Sequence, residues 1–563
     1  MMSADKVQRP SVYPIFAELE ATLMDLAEDN PNLCDLYSIG KTHQERDLWM
    51  MEITNKGTGH GSQKPGFYID ANTHAEEVLG TTVALETIRH LLGNYGEDDE
   101  VTFLLDETVF YILPRVDPDG AEYCLTRGMQ WVGNGRYFPG EEQPDPGFYF
   151  ADVDGDGVVA QMRKEDPNGE WRISEEDPRL MVQRKPHEYG GTYYRLFPEG
   201  RIRDYDGAET LHPLPRDGNL NRNYPANWLP ENRQYGAGEL PLSEPETAAI
   251  CRFILDHPNI AGAQCYHTNG GLVLRPFMDK SDAHFPGEDK RIFEAIGRIG
   301  ADLTGYKLMS VYEGFTTDKD KPRSGTSMEW MYEQLGFPCF STELWDAYAA
   351  AGIKREDFLP GEERSEEREL AVLKWADEQE DPTGYLDWTP FDHPELGEVE
   401  IGGWNRIYTF RNAPAALVPE IALSNLKFTL AHAAAAPRLK IEDIEVERVE
   451  GSVYRVSAIV ANAGYLPTNL TEMAIREERA QTVEVTLSGE GVEHVVGDGT
   501  VDLGHLSGRS DRAAIWSPFG QRWGSPRRKA EWVITAAPDA EFTLRAATPR
   551  AGVDERRVDI SDL

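Results

Sequence analysis

The sequence predicts an α/β domain followed by an all-β sandwich. Three observations predict it. At 563 residues the chain is too long for one ordinary domain and long enough to bury a large core. Apolar runs alternate with helix-length stretches through residues 66–114 and again through 245–343, the pattern of a sheet covered by helices on both faces. From Leu439 the pattern changes to alternation, as in YRVSAIVAN (454–462), TVEVTLSG (482–489) and AEWVITAA (530–537). Short strands between turn residues indicate a sandwich. The boundaries are accordingly 1–437 for the first domain and 438–563 for the second.

Within the first domain, Ile15, Leu19, Leu23 and Leu26 fall at helical spacing, which predicts a packing helix over residues 12–29. Residues 40–54 read as a turn into a strand. A strand over 66–71, a helix over 78–92, a strand over 109–114 and a turn at Asp117-Pro118-Asp119-Gly120 follow. Residues 127–216, rich in Gly, Pro and charge, are too long for a simple connection and predict a folded insertion. Inside it Asp152, Asp154 and Asp156 alternate before Gly157, the spacing of the first half of a calcium loop, although Arg163 stands where such a loop ends in glutamate. The expectation is a structural Ca2+ on Asp152, Asp154 and Asp156, with a solvated acidic turn as the alternative. A helix opens at Ser243-Glu244-Pro245-Glu246, with proline in its first turn. An apolar run over 260–266 ends in His267, and a strand over 338–342 ends in Glu343. Residues 347–391, acidic and broken by Pro and Gly, predict a covering extension; 417–436 suit a helix.

Composition narrows the partners. A net charge of −41, from 56 Lys and Arg against 97 Asp and Glu, repels phosphates and argues against nucleic acid or an anionic membrane. The five cysteines form no CxxC pair and sit in apolar surroundings, so they predict buried thiols in a reducing compartment. The N-terminus carries no signal-like apolar core, and no run of about 18 apolar residues occurs. The expectation is a soluble cytoplasmic protein; a secreted mature form is the alternative.

The chemistry begins at Asp70 to Gly80, DANTHAEEVLG. His74 and Glu77, three residues apart, project to one side of a tight loop or first helical turn and can grip one cation. A catalytic zinc commonly takes three protein ligands, and two histidines with one glutamate are a recognised set. His267 supplies the second histidine from another strand end. A carboxylate near such a site serves as base for the attacking water. Glu343, between FST and LWD at a third strand end, fits that role.

These residues carry a family resemblance. In order, His74-Ala75-Glu76-Glu77, Pro118-Asp119-Gly120, Leu220-Asn221-Arg222-Asn223, Ser243-Glu244-Pro245-Glu246-Thr247, His267, Ser324-Gly325-Thr326-Ser327-Met328-Glu329-Trp330 and Thr342-Glu343-Leu344 resemble the zinc carboxypeptidases of the carboxypeptidase A family, over residues 13–346. The resemblance implies a mixed-sheet catalytic domain and one Zn2+ on His74, Glu77 and His267. It also implies Glu343 as general base, and Asn221 with Arg222 as the clamp on a substrate's C-terminal carboxylate. A guanidinium suits that task because its planar fork matches a carboxylate. By the same resemblance Arg163 polarises the scissile carbonyl, with Arg127 as fallback, and Tyr312 closes over the substrate, because Lys321 occupies the unshifted position. Met328, apolar in the specificity position, argues against a preference for Lys or Arg.

The implied activity is hydrolysis of the C-terminal peptide bond of peptides or proteins by zinc-activated water, and the implied partner is a peptide with a free C-terminus. One alternative is a related zinc amidohydrolase acting on N-acyl amino acids or cell-wall peptide fragments. Another is a catalytically silent peptide-binding relative.

Overall fold

The computed structural model describes residues 7, 9–137, 147–205, 218–354, 365–379, 384–511 and 525–562. An eight-stranded mixed sheet lies at its centre. Its strands are β1 (Cys34–Lys41), β2 (Asp47–Ile53), β3 (Gly66–Ala71), β4 (Val109–Leu113), β5 (Ile260–Thr268), β6 (Leu272–Arg275), β7 (Lys307–Ser310) and β8 (Cys339–Leu344), in spatial order β1-β2-β4-β3-β5-β8-β6-β7. The middle four, β4, β3, β5 and β8, run parallel. β2 joins β4 antiparallel, and so does β6 with β8.

Parallel strands need cover on both faces, so they read as continuous apolar runs. β3 and β5 are buried at every position. The helices that cover them include α1 (Phe16–Asp29), α2 (Leu79–Asn94), α3 (Pro245–Asp256) and α4 (Val418–Ala434). Alternate residues of β3 point to opposite faces. Tyr68 points to the α3 side, where its ring and that of Tyr111 meet Phe253. Phe67, Ile69 and Ala71 enter a second core with Leu19 and Leu23 of α1, Val83 and Ile88 of α2, and Leu426 and Leu430 of α4. His432 of α4 is packed edge-on against Phe67 and Phe340, and burial lowers its pKa to about 3, so it is a neutral core residue. This layering sends the residues just past β3, β5 and β8 out along one carboxyl edge, where sites assemble in α/β sheets.

The described part of residues 127–216 forms strands that pair with a distant segment. Its strands Gln161–Glu165, Trp171–Ile173, Met181–Gln183 and Tyr194–Pro198 join Tyr385–His393 and Gly397–Trp404 in one six-stranded sheet. Residues 347–391 are therefore more than a cover, since they contribute a strand to that sheet. Pro390 lies on the edge strand Tyr385–His393, where proline is tolerated. Residues 138–146 and 206–216 of the predicted insertion, and 355–364 and 380–383 of the predicted extension, lie outside the described residues.

The C-terminal region forms two four-stranded antiparallel sheets around a core containing Val456, Val485, Trp532 and Leu544. It docks on the N-terminal α/β region through specific bonds. Asp289 accepts from the backbone N–H groups of Glu472 (2.6 Å) and Met473 (3.1 Å) at the start of the helix Glu472–Arg476, and from Tyr332 Oη (2.8 Å). It satisfies donors that a helix N-terminus leaves unpaired. Gly336 is essential at this contact: its φ is +74°, and a Cβ would stand 2.3 Å from Ala474 Cα. Among the described residues no helix is long and apolar enough to cross a membrane.

Candidate active site

Three parallel strands deliver the site. The loop after β3 carries His74 and Glu77, β5 carries His267, and β8 carries Glu343 directly in register with His267. His74 Nδ1 lies 2.9 Å from Glu77 Oε1, and His267 Nδ1 lies 3.0 Å from Oε2 of the same carboxylate. The ring centroids are 5.0 Å apart. Glu77 and His267 are buried and His74 nearly so, which makes an unshared charge here costly.

The charges respond to this geometry. Burial alone would raise the Glu77 carboxyl, but the two imidazoles override it and hold it at about 2. Burial lowers His74 against the pull of Glu77. Burial opposes His267 too, yet the Glu77 bond and charge, with Glu343 and Asp70 adding, push it up to about 9. The cluster thus keeps one positive charge beside its carboxylate. Asp70, at the end of β3 and raised to about 6 by burial, interacts with His267 through charge.

This donor set fits zinc. One potential ligand atom from each of His74, Glu77 and His267 lies within 4.8 Å of the others, and the two ring nitrogens converge on one carboxylate. A cation replacing the proton on His267 would be bound by two imidazoles and a carboxylate, a recognised catalytic arrangement. The Nε2 atoms of both rings are buried without a hydrogen-bond partner among the described residues.

The carboxylate clamp expected at Asn221 and Arg222 forms one short turn, Leu220–Arg222. Asn221 Oδ1 accepts from Ser327 N (3.0 Å), and Arg222 Nη1 donates to Asn221 O (2.6 Å). Arg222 makes no ion pair with a described residue; its pKa falls to about 10, through burial first and the charge of Arg323 second. Its field reaches His74. The facing segment is held close by Gly325, whose φ is +67° and whose Cβ would meet Arg222 O at 2.6 Å. Met328 is buried in the core beside it.

Other expected residues lie elsewhere. Arg163 does not join the carboxyl edge: it belongs to the six-stranded sheet, donates from Nε to Glu400 (2.8 Å) and stacks 4.5 Å from the Trp388 ring. Its partner lies 237 residues away, beyond the reach of a local motif. Arg127 ends the helix Pro118–Arg127 with its guanidinium 5.6 Å from the Tyr123 ring. Tyr312 bonds through its N–H to Phe277 O (2.9 Å), and Lys319 Nζ lies 4.5 Å from its ring; neither contact joins it to His74, Glu77 or His267.

The acidic loop is rearranged from expectation as well. Asp152, Asp154 and Glu199 are the three carboxylates that gather, within 4.8 Å of one another. Asp156 instead accepts from Val158 N (2.8 Å). Burial raises Glu199 to about 8, with Asp154 and Asp152 adding, against the N–H groups of Ala160 and Val153. Sequence reasoning missed Glu199 because it lies on a neighbouring turn, outside the aspartate spacing.

Comparison with known proteins gives a family and a set of relatives. A family model described as zinc carboxypeptidase matches residues 19–368, and one described as a domain of unknown function matches residues 438–559. Carboxypeptidase D of Homo sapiens is 37% identical over 107 residues, 19% of this chain and 8% of that relative. Carboxypeptidase A4 of Mus musculus is 28% identical over 338 residues, 59% of this chain and 63% of the relative. Among solved structures, carboxypeptidase A of Helicoverpa armigera is 16% identical with a TM-score of 0.40, covering 59% of this chain and 64% of that one.

Proposed function

This chain belongs to the zinc carboxypeptidase family, and from that premise we propose that it removes the C-terminal residue of peptides with a free carboxylate. The observation that carries the reading is the convergence of His74, Glu77 and His267 beside Glu343, with the charge of Arg222, which forms no ion pair with a described residue, felt at His74.

Zinc bound there supplies Lewis acidity, polarising the carbonyl and lowering the pKa of water. The chain's own residues do the rest. Arg222, through its planar fork, and Asn221, through its amide, hold the substrate's terminal carboxylate and so place the last peptide bond over the carboxyl edge. Glu343 takes a proton from the attacking water and returns it to the leaving amine. Asp70, whose charge acts on His267, favours the cationic site. The first experiment is an assay of the zinc-loaded protein on peptides that differ only in their last residue. Release of that residue supports the reading; cleavage confined to small N-acyl amino acids would replace it with the amidohydrolase alternative.

For the acidic loop we propose a structural Ca2+ between Asp152, Asp154 and Glu199, supported by the aspartate spacing and by a carboxylate cluster whose protons a cation would displace. Millimolar Ca2+ should raise the Tm of chelator-treated protein by binding the folded state. An unchanged Tm leaves the solvated acidic turn.

A further inference from the structure

Two arginines belong to the substrate end of this site, and the carboxylate clamp uses one. Arg323 immediately precedes Ser324-Gly325, a turn bonded to the clamp segment. Tyr224 N donates to Gly325 O (3.0 Å), Gly325 N to Ala226 O (3.1 Å) and Ser327 N to Asn221 Oδ1 (3.0 Å). Two residues from the point where Gly325 touches the Arg222 backbone, Arg323 is brought to the same region. Its guanidinium lies 4.6 Å from the Phe315 ring, and its hydrogen bonds among the described residues are long contacts of 3.5 Å to Phe315 O and Thr316 Oγ1.

The electrostatics agree with this placement. Arg222 feels the charge of Arg323, and Arg323 feels that of Glu343. Neither guanidinium forms an ion pair with a described residue, although the chain has 97 acidic side chains and a net charge of −41. Glu329 offsets part of the burden on Arg222, and Glu343 part of that on Arg323, yet burial still lowers both guanidiniums, and two partly buried like charges without an ion pair favour an anionic ligand.

One terminal carboxylate does not satisfy both. The Arg222 fork and the Asn221 amide already match its two oxygens, and the second fork remains. We infer that Arg323 is a specificity-determining residue which, beside Arg222, selects substrates whose C-terminal residue is glutamate or aspartate. The inference rests on the carboxypeptidase reading above and names its substrate class. The buried, apolar Met328 agrees in offering no anion to a basic side chain.

The test uses the full-length zinc-loaded protein and peptides identical except for a last residue of Glu, Gln or Leu. Wild type should cleave the Glu peptide with a kcat/KM about tenfold or more above that of the Gln peptide, the order of one charge-assisted hydrogen bond. Arg323→Gln should bring that ratio toward one, chiefly through KM of the Glu peptide, and Arg323→Lys should keep part of it. Zinc content and Tm of each variant report whether it folds. If Arg323→Gln does not fold, the wild-type Glu-to-Gln ratio measured against rising salt still decides, because charge selection must shrink with screening. Good cleavage of Gln and Leu peptides with no preference for Glu overturns the inference and leaves the carboxypeptidase reading intact. An equal loss on Glu and Gln peptides in folded Arg323→Gln also overturns it, since the residue would then serve the reaction on any substrate. No cleavage of any of the peptides overturns both.

Discussion

Glu343→Gln is expected to keep its zinc and bind substrate with little change while kcat falls by at least about 10²-fold, the low end of what general acid–base catalysis contributes. The amide keeps the shape of the carboxylate but cannot accept a proton from water. Glu343 is half-buried at the end of β8, in register with His267, so the substitution leaves the metal ligands themselves in place. Its charge does act on His267, and its loss weakens the support for a cation there only as one contributor behind Glu77. The checks are zinc content by elemental analysis, KM and kcat on one peptide. A near-normal kcat would remove Glu343 as the base.

His267→Ala should lose the metal and with it all measurable turnover. Glu77 is now held by two imidazoles, one on each oxygen, at 2.9 and 3.0 Å. Removing His267 leaves a two-ligand site in which the carboxylate keeps only His74, and two protein ligands do not make a catalytic zinc centre. The same change applies to His74→Ala. Wild type should also gain Tm on zinc addition, because the metal binds the folded state preferentially. Neither variant should show that gain. Full zinc occupancy in either would dismiss this ligand set.

What the sequence made legible was local. His74 and Glu77 announce themselves by spacing, and His267 and Glu343 by standing where apolar runs end. The sandwich shows in its period of two. What it concealed was long-range pairing. Arg163 meets Glu400 across 237 residues, a pairing that no local motif encodes. The strand Gly397–Trp404 completes a sheet begun in the insertion, and no local signal in either segment points to the other. Glu199 joins Asp152 and Asp154 because two turns fold together, whereas the aspartate spacing favoured Asp156. Arg323 was readable as a charge beside the Ser-Gly turn, but its relation to Arg222 depends on the Gly325 contact.

The central claim is that the site recognises a chain end, and Arg222 is where it is most exposed to test. The measurement is kcat/KM of wild type and Arg222→Met on a peptide with a free C-terminus and on its C-terminal amide. Wild type should strongly prefer the free acid. Arg222→Met should lose roughly 2 to 5 kcal/mol on the free acid, the usual cost of truncating one partner of a buried charge pair. It should lose far less on the amide, which lacks the charge to be recognised. Equal penalties on the two peptides would contradict the clamp, and with it the reading of this protein as a carboxypeptidase.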